Sequence, residues 1–78
     1  MTKRTRLKIG GHKFNEYLDT AIEANAAANQ AIGEIAAAHR DDALTTELLL
    51  ELLTVAATSV GQVHVALHKL DQIVRQAR

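Results

Sequence analysis

Two imidazoles one helical turn apart, His64 and His68, with Asp71 three residues further on, are the side chains of this 78-residue chain whose types and spacing best suit chemistry. Residues at i and i+4 share a helix face, so the pair can hold one metal ion between them. A carboxylate or a third imidazole, such as that of His12, would complete a nitrogen and oxygen set for zinc with bonds of about 2.0–2.2 Å. The stretch lacks the glutamate of a catalytic His-Glu-x-x-His helix. Histidines beside an apolar helix seam are more often packed or solvated than ligating. His64, His68 and Asp71 are therefore a candidate only, and no metal or cofactor is expected.

Other chemistry fares no better. There is no cysteine, and Ser59 is the single serine, set within a helix-forming stretch rather than on a strained turn. Gly10-Gly11 ahead of a helix can present free backbone N–H groups to an anion, but two glycines without further pattern do not make a phosphate loop. An enzyme is not expected.

The elements that would position these residues begin with a basic arm. The formal net charge is zero, yet residues 1–13 carry +5, residues 14–63 carry −7 and residues 64–78 carry +2. In residues 1–11, MTKRTRLKIGG, Leu7 and Ile9 alternate with Arg6 and Lys8 before a Gly-Gly breaker, which suits a flexible arm or a short strand. Lys3, Arg4, Arg6 and Lys8 can neutralise phosphates and so give salt-dependent nucleic-acid binding. The alternation resembles the strand of ribbon-helix-helix proteins, which enters the DNA major groove as a two-stranded ribbon, although the helix that follows is too long for that fold and no turn comes where it needs one. The arm can equally be a solubilising tail, or lie along the acidic body of its own or a neighbouring subunit.

From residue 12 onward one helical domain, 12–78, is expected. Phe14, Leu18, Ala21, Ile22, Asn25, Ala28, Ile32, Ile35, Ala36 and His39 recur at three- and four-residue steps, an amphipathic helix over about 13–39. Asn25 interrupts its apolar seam, a device that fixes register and oligomer state at some cost in stability. Gly33 and the run Ala26-Ala27-Ala28 would allow a close neighbour. The segment HRDDALTTE is the one good breakpoint, with Asp41 or Asp42 suited to cap a second helix over about 43–76. So short a connection makes the helices antiparallel neighbours, with facing residue numbers totalling about 82. On that register His12 would lie near Leu70 and Asp71.

The second helix carries a coiled-coil-like repeat. Leu49, Ala56, Val63, Leu70 and Ala77 fall at one heptad position, and Leu53, Val60, Leu67 and Val74 at the other. Leu48, Leu50, Leu52 and Val55 add apolar surface beyond what one partner helix covers. A chain this short has a marginal core, and without cysteines oligomerisation is the common remedy. Aromatics are limited to Phe14 and Tyr17, and proline is absent, which favours helix over sheet. The expected protein is all-α: an antiparallel helical hairpin with a basic N-terminal arm, associating as a homo-oligomer, a dimer first, into a helical bundle.

Leu49, Leu53, Val60, Val63, Leu67, Leu70 and Val74 would build that assembly, leaving Leu48, Leu50, Leu52 and Val55 to bind a larger protein. The expected function is that of a small non-enzymatic interaction protein, a regulator, adaptor or inhibitor. The alternatives are a nucleic-acid-binding regulator that uses the arm, and a ligand- or metal-binding bundle. No uncharged run reaches the roughly 20 residues of a bilayer span, and the basic N-terminus lacks the apolar run of a secretion signal. A cytoplasmic protein with no membrane partner is therefore expected.

Overall fold

The computed structural model describes residues 11–76. They form two helices, α1 (His12–Arg40) and α2 (Thr46–Gln76), packed against each other as an all-α hairpin. The cations Lys3, Arg4, Arg6 and Lys8, and Ala77 of the heptad repeat, lie outside the described residues.

Local chemistry sets the ends of both helices. Gly11 precedes α1 with φ +116°, a conformation that L side chains rarely adopt. At the other end, Asp42 takes the left-handed conformation at φ 58°. Its N–H donates to the His39 carbonyl at 3.2 Å, and the Ala43 N–H donates to the Ala38 carbonyl at 2.8 Å. This pair of bonds is a Schellman motif, which satisfies carbonyls that the helix end leaves open. Aspartate tolerates the left-handed region better than most residues because its short polar side chain can bond locally.

The sequence places the cap of the second helix at Asp41 or Asp42. The structure places it at Thr45, whose Oγ1 accepts the Leu48 N–H at 3.1 Å. Both aspartates are drawn into the termination of α1, so α2 starts three residues later than 43. Leu44 and Leu49 then occupy the positions of a hydrophobic staple, and both are half-buried.

The later start moves the register. The Lys69 ammonium lies over the Tyr17 ring, 5.2 Å from its centroid, so facing residue numbers total about 86 rather than 82. His12 is therefore level with the last turns of α2, beyond Leu70 and Asp71.

The seam between the helices is built from small residues. Ala21, Ala24, Ala28 and Ala31 are buried on α1, and Leu52, Ser59 and Ala66 on α2. Half-buried Leu49, Ala56, Val63 and Leu70 alternate with these at three- and four-residue steps, and half-buried Val74 lies near the end of the same helix. One half of the expected heptad repeat thus faces α1. The other half does not: Leu53, Val60 and Leu67 are exposed, and Leu52, Ser59 and Ala66 take the inward positions. Rows of alanine on α1 leave a low ridge, against which Leu52, Ser59 and Ala66 turn inward and Leu53, Val60 and Leu67 outward.

Gly33 takes no part in that approach. It is exposed, and a Cβ added there would meet nothing within 4 Å. Each buried alanine removes one methyl from water, worth about 0.8 kcal/mol, and the described residues contain no large side chain that is fully buried. The hairpin on its own has a thin core.

Candidate interaction surface

The two helices run antiparallel, so advancing one residue from the seam turns both helices toward the same side of the hairpin. In a right-handed helix that step is about 100°, and reversing the chain direction mirrors its sense. From Ala21, Ala24, Ala28 and Ala31 the step reaches Ile22, Asn25, Asn29 and Ile32, with Leu18 and Ala36 continuing the row. From Leu49, Leu52, Ala56, Ser59, Val63 and Ala66 it reaches Leu50, Leu53, Ala57, Val60, His64 and Leu67.

This side holds seven large apolar residues that are 39–60% exposed, namely Leu18, Ile22, Ile32, Leu50, Leu53, Val60 and Leu67. None of its twelve positions carries Asp, Glu, Lys or Arg. Its polar members are Asn25, Asn29 and His64.

Stepping back one residue reaches the opposite side, where an open groove is lined by Thr20, Glu23 and Ala27 of α1 and by Thr58, Gln62 and Val65 of α2. Glu34, Glu51 and Lys69 share that side with the exposed Val55 and Val65. Charge is thus segregated: one broad side is mixed and polar, the other apolar and without Asp, Glu, Lys or Arg from Leu50 until Asp71, one step past Leu70.

The residues singled out for assembly and for a partner are redistributed by this geometry. Leu49, Val63 and Leu70 lie toward α1, whereas Leu53, Val60 and Leu67 share the uncharged side with Leu50. Leu52 is buried in the seam, and Leu48 and Val55 fall on the groove side. The signal that separates the two sides was present in the sequence as two parallel heptad rows one residue apart, 49/52/56/59/63/66 and 50/53/57/60/64/67. Only the first row is matched by small residues on α1.

The candidate metal residues do not assemble into a ligand set. Among the described residues no three His, Cys, Asp or Glu side chains come together. His64 and His68 are exposed. The Asp71 carboxylate accepts a hydrogen bond from Arg75 Nε at 2.8 Å on its own helix, and His12 Nε2 lies 3.5 Å from a Glu16 carboxylate oxygen.

By length and composition α2 is also long and apolar enough to cross a bilayer. Residues 52–68, between Glu51 and Lys69, carry no Asp, Glu, Lys or Arg.

The fold and this surface define a class, a two-helix antiparallel hairpin with one uncharged broad side. No protein-family model, curated protein or solved structure matches the chain.

Proposed function

We propose that this chain is a small non-enzymatic interaction protein, which associates with itself through the uncharged side and acts on a larger protein through the groove side. One observation carries the reading: seven exposed large apolar residues gather on a side without charge. Contiguous exposed apolar surface of this kind marks a place where protein or membrane is met.

The thin alanine seam supports the same reading, because a hairpin with so little buried apolar area needs further burial to offset chain ordering. Leu48, Val55 and Val65 beside the groove then remain accessible for a regulator, adaptor or inhibitor to use. A membrane is disfavoured by register. With facing numbers near 86, Glu23 sits level with Val63 and Glu34 with Leu52, so an inserted hairpin would carry both acids into the hydrocarbon, where charge is costly.

The test is capture from native lysate, with and without nuclease, using the full chain, a Val55→Asp/Val65→Asp variant and a chain lacking residues 1–9 as baits. The proposal predicts one nuclease-resistant protein, retained by the shortened chain and lost with the groove-side variant. Nuclease-sensitive capture that disappears with residues 1–9 would instead favour a nucleic-acid-binding regulator acting through Lys3, Arg4, Arg6 and Lys8.

A further inference from the structure

The row on α1 reads nearly the same in both directions. From its middle, at position 27, the residues outward are Asn25, Ile22 and Leu18 one way and Asn29, Ile32 and Ala36 the other. The row on α2 has a similar symmetry about a point between 58 and 59. Ala57 and Val60 are innermost, Leu53 and His64 follow, and Leu50 and Leu67 are outermost. The two midpoints lie side by side in the hairpin, since Ala27 and Thr58 line the same groove across the seam. A single two-fold axis, perpendicular to the helices, can therefore pass over both.

We propose that a second copy of this chain covers the uncharged side about that axis, with α1 antiparallel to the second copy's α1 and Asn25 opposite its Asn29. The inference rests on the reading of this side as a self-association surface and deepens it by fixing the arrangement. In such an isologous contact each residue pair occurs twice. Ile22 meets Ile32 of the second copy, Leu18 meets its Ala36, and the two asparagine pairs stack at the centre. On α2, Leu50 meets Leu67 and Ala57 meets Val60.

Three features favour a second copy. Self-pairing places every group opposite a copy of its own surface, which is penalised where like charges meet, and this side has none. From Leu18 to Ala36 the uncharged row is about 27 Å long and the helix pair about 20 Å wide, roughly 540 Å² against the roughly 800 Å² per partner of a standard interface. Lastly, an amide buried without a partner costs about 1–3 kcal/mol, and the antiparallel arrangement gives each asparagine another asparagine. A two-fold axis parallel to the helices would set Asn25 between Val60 and His64 of the second copy's α2 and leave no amide facing an amide.

The chain has no cysteine, so single-cysteine variants report proximity cleanly. The full-length chain is first weighed by light scattering. Asn25→Cys and Asn29→Cys chains are then oxidised in a glutathione buffer, each alone and as an equimolar mixture. The same experiment with Ala57→Cys and Val60→Cys keeps the asparagines intact. The proposal predicts a dimer, and several-fold more interchain disulfide in each mixture than in either variant alone. A dimer whose mixtures show no such excess overturns this arrangement and leaves self-association standing. A folded monomer overturns both, as does a monomer recovered bound to phosphatidylcholine vesicles.

Discussion

The Lys69 ammonium lies over the ring of Tyr17, 5.2 Å from its centroid, and ties the first turns of α1 to the last turns of α2. This cation–π contact sits at the open end of the hairpin, where no covalent connection holds the helices together. A double-mutant cycle with Tyr17→Leu and Lys69→Met should return a coupling of about 0.5–1 kcal/mol in denaturant unfolding. A coupling of zero would mean that the two helices are not in this register.

The turn gives a pair of opposed predictions. Thr45→Ala removes the cap of α2 and should cost about 1 kcal/mol, with Thr45→Ser close to neutral. Asp42→Gly should raise the melting temperature, because glycine adopts the φ of 58° found there without a Cβ penalty. Had the cap been Asp42, both signs would be reversed, so thermal melts of the two variants discriminate between the readings.

Gly33→Ala should stabilise the protein by about 0.5–1 kcal/mol, since a helical glycine is replaced where a Cβ meets nothing within 4 Å. Ala28→Leu on the seam should do the reverse, destabilising by about 1–3 kcal/mol as the added carbons force the axes apart. Circular dichroism during urea unfolding measures both.

Leu53 and Val55 are nearly equally exposed, at 47% and 44%, but they occupy opposite sides of the hairpin. Leu53→Asp should weaken self-association at least about tenfold, or about 1.4 kcal/mol. Val55→Asp should leave it unchanged. Sedimentation velocity across a dilution series reads the difference, and an equal response to the two substitutions would remove the basis for distinguishing the sides.

Much of the fold was legible in the sequence because it rests on periodicity and turn chemistry. Apolar steps of three and four mark both helices, and HRDDALTTE marks the bend. Leu49, Ala56, Val63 and Leu70 stand out in the sequence as a repeat, assigned there to assembly with another copy, whereas in the structure they lie toward α1 of the same chain. The rest depended on shape. Hydrophobicity favours Leu53, Val60 and Leu67 as the second half of that repeat, but Leu52, Ser59 and Ala66 are the ones turned toward the α1 alanines, Ser59 and Ala66 being smaller than their exposed neighbours. The cap was misplaced for a related reason, since Asp42 suits both a helix start and a left-handed helix end. The last carbonyls of α1 decide between these roles. Of the candidate site, the apolar residues themselves were legible, whereas their division into two sides depended on which of the two heptad rows packs on the α1 alanines.

Sedimentation equilibrium of the full chain tests the central claim most directly. The account predicts a species of twice the 8.5 kDa chain mass, with a melting temperature that rises with concentration because folding and association are linked. A helical monomer of 8.5 kDa that melts at the same temperature at every concentration would contradict it.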